Sequence, residues 1–306
     1  VCAEGGRLPI TVTGAADPLP LETRLAVPSA QVKSALLLAG LSAPGQTIVV
    51  EPEPTRDHSE RILRLFGAEI ASEAESGGGR RIVLEGQPEL VSPGLLRVPG
   101  DPSSAAFPLV AALLVPGSRV KVSGVCINPL RTGLFESLVE MGAALTIDET
   151  GEACGETVAD IGASAGPLRG ITVPAERAPR MIDEYPILAV AAACAEGPSR
   201  FEGLAELRVK ESDRLAAIAD GLAANGVQVE ADADSLTITG SGGPPPGGGR
   251  VVSHGDHRIA MAFLVLGLVA QRPVTIDDGT MIATSFPGFA ELMRGLGADI
   301  AVADAA

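Results

Sequence analysis

The densest run of reactive side chains is Leu207-Arg-Val-Lys-Glu-Ser-Asp-Arg214. It reads as the end of a strand running into a helix over 211–225. On that reading Lys210 and Arg214, four residues apart, share one helical face near its N-terminus, with Glu211 between them. Cations at a helix N-terminus oppose the helix dipole. The same terminus is an anion site, because its first N–H groups point outward unpaired. An anionic ligand would therefore account for the placement, and a solvated face held by a Glu–Arg pair is the competing reading of this stretch alone. Other helix starts also carry polar groups: Ser29-Ala30-Gln31-Val-Lys33-Ser34, Arg180-Met-Ile-Asp183-Glu184-Tyr185 and His254-Gly-Asp256-His257-Arg258. Ser29 reads as an N-cap. Asp183 reads equally as an N-cap or as a catalytic carboxylate. Arg56, in Pro54-Thr-Arg-Asp-His58, opens a further helix. Carboxylates beside fixed cations suit acid–base chemistry on an anionic substrate. No serine or cysteine triad, metal-ligand spacing or dinucleotide fingerprint is present in the sequence.

The elements that must position these groups form a repeat. Four amphipathic helices, over 57–66, 132–141, 211–225 and 286–296, end at Gly67, Gly142, Gly226 and Gly297, and a strand start follows each. Each is preceded by a more uniformly apolar helix, at 29–43, 103–115, 183–195 and 257–270, whose composition predicts burial on all sides. Short β stretches lie between the two helices (46–50, 118–122, 199–201, 273–276), and others, such as 81–84 and 235–239, follow the second. The fold class is α/β: repeated units with buried helices and outer sheets, four in this chain. An ordinary doubly wound sheet is the alternative. The Gly- and Pro-rich segment Gly240–Gly249 reads as a surface loop, flexible at its glycines and stiff at its prolines, and it fails as a phosphate loop. A domain boundary is placed at Arg97-Val-Pro-Gly-Asp-Pro102, giving domains 1–98 and 99–306.

The chain has 306 residues, 46% hydrophobic and 20% charged, with net charge −15. That composition is globular and soluble. No Trp and a single Tyr argue against base stacking, and the acidic balance argues against nucleic-acid backbones and anionic membranes. Cys2, Cys126, Cys154 and Cys194 are scattered, as expected of reduced thiols in a cytoplasmic protein. No apolar run reaches the ~18 residues of a membrane span. The chain opens on a strand-like stretch, Leu8–Gly14, without an initiating Met, and a missing upstream segment is expected.

Six stretches resemble the 5-enolpyruvylshikimate-3-phosphate synthase family: Ser29-Ala-Gln31-Val-Lys-Ser34, Gly100-Asp-Pro-Ser-Ser104, Met181-Ile-Asp183-Glu-Tyr185, Leu207–Arg214, Asp256-His-Arg-Ile-Ala-Met261 and Ala283-Thr-Ser-Phe-Pro287. The resemblance spans nearly the whole chain and points to the class that includes glyphosate-tolerant bacterial enzymes. It implies an inside-out α/β barrel fold of two domains with six units, so that about two are missing here and only part of the site is held. The implied activity is 3-phosphoshikimate 1-carboxyvinyltransferase, acting on phosphoenolpyruvate and shikimate 3-phosphate with no cofactor and no metal, in a cytoplasmic monomer of the shikimate pathway. By resemblance Ser29, Ala30, Gln31 and Arg56 bind shikimate 3-phosphate, with Gln31 also near phosphoenolpyruvate. Asp183 takes the proton from the 5-hydroxyl, and Lys210 binds on the shikimate side. Glu211 protonates the phosphoenolpyruvate methylene, and Arg214 and Arg258, with His257 beside them, clamp its charged groups. Thr284 stands where many members carry Lys. Two other functions are weighed: enolpyruvyl transfer to UDP-N-acetylglucosamine, and a non-catalytic anion-binding fragment. The isolated chain is expected to be a poor catalyst or none.

Overall fold

The computed structural model describes residues 9–302. Cys2 and Leu8 lie outside them. Of the strand expected over 8–14, the described part holds a single bridge residue, Ile10. The chain divides into two compact units, Val1–Leu95 and Leu96–Ala306.

The first unit contains one repeat: β1 (Glu22–Arg24), α1 (Ala30–Gly40), β2 (Gln46–Glu51), α2 (His58–Leu65), β3 (Ile70–Ala74) and β4 (Arg80–Glu85). Its sheet has the order β1-β2-β4-β3. β1 and β2 run parallel, joined across α1, while the pairs of β4 with β2 and with β3 are antiparallel. Leu37, Val49, Leu63, Ile82 and Leu84 form the core. The all-round burial expected of α1 does not occur. Lys33, Leu37 and Gly40 are its buried residues, whereas Val32 and Leu38 are 48% and 57% exposed. Within this unit α1 packs on β2 and β4, so only one of its faces is covered. Lys33 turns inward, 3.0 Å from Glu51 and 2.9 Å from Glu60, and so is not part of an exposed helix-start cluster.

The second unit holds three further repeats. The first is α3 (Pro102–Leu114), β5 (Arg119–Cys126), α4 (Gly133–Glu140), β6 (Ala144–Ala153) and β7 (Glu156–Ser164). The second is β8 (Thr172–Val173), α5 (Tyr185–Cys194), β9 (Glu196–Phe201), α6 (Arg214–Ala224), β10 (Gln228–Ala231) and β11 (Leu236–Ser241). The third is β12 (Arg250–Val251), α7 (His257–Gly267), β13 (Thr275–Ile276) and α8 (Phe289–Gly295). The sheets run β5-β7-β6, β10-β11-β9-β8 and β12-β13. Each full repeat therefore uses one plan: the strand after the first helix pairs with the last strand of the following hairpin. A short strand before the first helix runs parallel to the strand after it, as β8 with β9 and β12 with β13; a lone Gly100–Val125 bridge takes that place in the first of the three.

Here the expected helix-inside arrangement is present. α3, α5 and α7 pack on one another, with sheets against α3 and α5. α5 is buried from Tyr185 to Ala193, and the first helices exceed the second ones in burial in all three repeats. Each second helix stops the same way. Gly67, Gly142, Gly226 and Gly297 all have positive φ. The glycine N–H and the next N–H bond back into the last turn, as in Gly142 to Val139 and Ala143 to Leu138. These are Schellman closures, which need a left-handed residue that glycine supplies without strain. The segment 242–249 is tied down, not free. Gly249 N–H donates to buried Asn225 Oδ1 at 3.0 Å, and Arg272 donates to Gly247 O at 2.8 Å.

Candidate active site

In the first unit, Ser29 caps α1, its hydroxyl accepting from Val32 N–H at 3.3 Å. The start of α1 and the approach to α2 line a hollow of about 430 Å³, with Ala30, Gln31, Ser34, Arg56 and Ser59 on its wall. Ser34 and Ser59 hydroxyls are hydrogen-bonded at 2.6 Å across it. An exposed amide, a guanidinium and the N–H groups of a helix start give this hollow the donors an anion requires, while the Ser34 hydroxyl also bonds Ala30 O at 2.8 Å.

In the second unit the expected residues meet around Arg214, whose side chain is fully buried. Its Nε donates to Asp256 Oδ2 at 2.7 Å, Nη1 to Asp183 Oδ1 at 3.0 Å, and Nη2 to Glu211 Oε2. Lys210 Nζ stands 4.0 Å from Asp183 Oδ1 and 2.6 Å from Glu206 Oε1. Arg258 donates through Nη1 to the Asp183 carbonyl at 3.4 Å. Asp183, Lys210, Glu211, Arg214 and Arg258 are thus brought together. His257 adjoins Arg258, and its Nε2 is buried with no partner among the described residues.

The local structure differs from the expected strand and helix. Residues Ala205–Val209 form a 3-10 turn, not a strand end, and α6 begins only at Arg214. The cause is Asp213, whose carboxylate accepts from Ala216 N–H at 3.0 Å and so sets the N-cap. Lys210 and Glu211 therefore precede the helix and share no helical face with Arg214. Nor is Asp183 an N-cap. α5 is capped at Glu184, which makes no side-chain cap bond, and the Asp183 carboxylate is engaged by Arg214 instead.

The central helices begin at this cluster. Asp256 caps α7 by accepting Arg258 N–H at 2.9 Å while holding Arg214 on its other side. The turn before it is tight: His254 and Gly255 both take positive φ, and Asp256 N–H returns to Ser253 O at 2.9 Å. Burial pushes the Asp256 carboxyl up, but the hydrogen bond and charge of Arg214 outweigh it and hold it below its ordinary value. Burial, then the charge of Arg258, holds the His257 imidazole low, so it is neutral at pH 7.

Sequence reasoning gave no role to Asp256, nor to a second buried guanidinium, Arg131. Two signals could have found them. Asp256 stands immediately before a helix, in N-cap position. Arg131 stands two residues ahead of the second helix of its repeat, the place Arg56 has in the first unit.

The model of the family EPSP synthase (3-phosphoshikimate 1-carboxyvinyltransferase) matches residues 1–293. A 3-phosphoshikimate 1-carboxyvinyltransferase of Methylorubrum populi is 61% identical over 97% of this chain, and one of Granulibacter bethesdensis is 63% identical over 98%. The chain spans 66% of the length of each. An EPSP synthase structure from Acinetobacter baumannii superposes with TM-score 0.87 at 45% identity, covering 99% of this chain and 68% of that one. The enolpyruvyl transferase NikO from Streptomyces tendae shares the fold, with TM-score 0.72 at 21% identity, over 93% of this chain and 65% of its own. With its repeat plan, the buried arginine cluster and these matches together, the chain belongs to the EPSP synthase family.

Proposed function

We propose that the protein transfers the enolpyruvyl group of phosphoenolpyruvate to the 5-hydroxyl of shikimate 3-phosphate, releasing phosphate, as a step of aromatic amino-acid biosynthesis. The observation that carries this reading is the division of Arg214. Its Nε is committed to Asp256, Nη1 meets Asp183, the base, and Nη2 meets Glu211, the acid, with a longer bond to Asp256 at 3.5 Å. An anion that displaces these carboxylates from Nη1 and Nη2 lies next to both.

The chemistry then follows. Glu211 protonates the methylene of phosphoenolpyruvate, which makes C2 electrophilic. The substrate hydroxyl attacks C2 as Asp183 accepts its proton. Loss of phosphate and of a methyl proton from the tetrahedral adduct gives the enol ether. Charge on phosphate and carboxylate persists throughout, and Arg214, Arg258 and Lys210 offset it. Ser29, Ala30, Gln31 and Arg56 bind shikimate 3-phosphate. Two carboxylates with different surroundings, one beside Lys210 and one 52% exposed, divide the acid and base roles.

The names of the relatives favour shikimate 3-phosphate over UDP-N-acetylglucosamine as acceptor. We further propose a cytoplasmic monomer that uses no cofactor; no helix among the described residues is long and apolar enough to cross a membrane. The test is phosphate release from phosphoenolpyruvate by the longest product its gene encodes, with each acceptor in turn. Release that needs shikimate 3-phosphate supports the reading; release with the nucleotide sugar, or with neither, refutes it.

A further inference from the structure

Arg131 is a buried cation 9% exposed, and the reaction above makes no use of it. From just ahead of α4 it reaches the starts of two central helices. Its Nη2 donates to Ser103 Oγ at 2.7 Å and lies 3.3 Å from Asp101 Oδ1, the cap of α3. The same nitrogen is 3.6 Å from Glu184 Oε1. Ser103, whose hydroxyl donates to that carboxylate, completes the bridge. Glu184 is 2% exposed and immediately follows Asp183. A carboxylate buried this deeply is tied to its cation and hydroxyl, because no water can replace them. Fixing the Glu184 side chain therefore fixes the backbone from which the Asp183 carboxylate projects. The rest of that turn is fitted to α4 as well: a Cβ at Gly133 would stand 2.9 Å from the Met181 side chain.

The repeat gives this contact its meaning. Arg214 joins a carboxylate at the start of its own repeat's central helix, Asp183, to the cap of the next, Asp256. Arg131 does the same one repeat earlier, joining Asp101 to Glu184. The two guanidiniums approach the turn 181–184 through its two consecutive acidic residues. The Arg131 charge is held above its ordinary value; burial opposes it, but Glu184, Asp101 and Asp183 outweigh the burial.

We propose that Arg131 is a positioning residue for Asp183: acting through Ser103 and Glu184, it sets the place of that carboxylate relative to Arg214 and Lys210, without touching substrate. This rests on the function proposed above.

The test compares Arg131→Gln, Arg131→Lys and Asp183→Asn in the longest product its gene encodes, by phosphate release. Misplacing a base by about an ångström costs on the order of 100-fold. Arg131→Gln is expected to lower kcat about 10- to 100-fold, with the KM for phosphoenolpyruvate changed less than about threefold, since Arg214 and Arg258 remain. Arg131→Lys keeps the charge but not the fork, and is expected to recover part of kcat. The double variant Arg131→Gln/Asp183→Asn should be no slower than Asp183→Asn alone. Multiplicative losses in the double variant, or an unchanged kcat in folded Arg131→Gln, overturn the proposal. If Arg131→Gln does not fold, Ser103→Ala carries the same test, with the same split between kcat and KM expected and the same outcomes overturning it. Full activity in Asp183→Asn would instead remove Asp183 as the base; the function reading then fails first, and this proposal falls with it.

Discussion

Arg214 donates to Asp256 through Nε at 2.7 Å, and neither side chain is exposed to solvent. A buried pair of this kind is weak evidence for added stability, because desolvation offsets much of the attraction. Breaking it is another matter. Asp256→Asn removes the charge and leaves the guanidinium buried beside fewer carboxylates. The expected loss is about 3–5 kcal/mol of unfolding free energy at pH 7, measured by urea titration. A loss below about 1 kcal/mol would mean that Asp183 and Glu211 suffice for Arg214.

The pH dependence has two windows, both with stability falling on acidification. Asp256 and Asp101 are held below their ordinary value of 3.8; burial works against this at each, and is outweighed at Asp256 by Arg214 with hydrogen bonds from Arg258 N–H and Ser212, and at Asp101 by the charge of Arg131 together with hydrogen bonds from Ser103 and Ser104. Their contribution is complete above that value and is lost as pH falls through the lower folded values. His257 is held below 6.5, first by burial. The unfolded chain takes up that proton first, so the His257 contribution is present above about pH 6.5 and disappears as pH falls through its folded value. Thermal unfolding between pH 7 and 5 should therefore be less steep in pH for His257→Gln than for the parent. An identical slope in both would remove His257 as the cause.

Lys33 is fully buried between Glu51 and Glu60. Lys33→Met should destabilise the first unit by about 3–5 kcal/mol, since two carboxylates lose their only basic partner in the triad. Adding Glu51→Gln and Glu60→Gln to the same chain should return much of that loss. Denaturant unfolding of the single and triple variants decides it, and a triple variant as unstable as the single one would contradict the charge argument.

Gly221 of α6 faces Phe263 of α7. A Cβ there would stand 2.3 Å from the Phe263 ring, which is 1% exposed and cannot swing clear. Gly221→Ala should cost about 1–3 kcal/mol through overpacking, despite the better helix propensity of Ala. Phe263→Leu in the same background should relieve part of it, as read from the unfolding midpoint.

The repeat was legible because its signals are local. A glycine stop, an apolar period and a cap residue each act over one or two turns, so four copies stand out in the sequence. The all-round burial of α1 was misread because composition reports how apolar a helix is, not how many neighbours cover it. The Lys210–Arg214 face was misread for a different reason. The competing cap, Asp213, lies inside the run of charges and looks like one more of them. Position along the chain can single out Arg131 or Asp256, but it does not name their partners across space, Glu184 and Arg214. Only the convergence of three helix starts brings them together.

The strand plan of the first repeat bears on how the chain is made. All four strands of its sheet come from residues 22–85, and the Schellman closure of α2 lies within the same span. During synthesis that sheet can finish pairing before α3 has left the ribosome, because it waits for no later strand. The central helices behave oppositely. Arg131 and Arg214 each gain their last acid, Glu184 and Asp256, only when the following repeat has been translated, so a ribosome paused between repeats holds a cation one acid short.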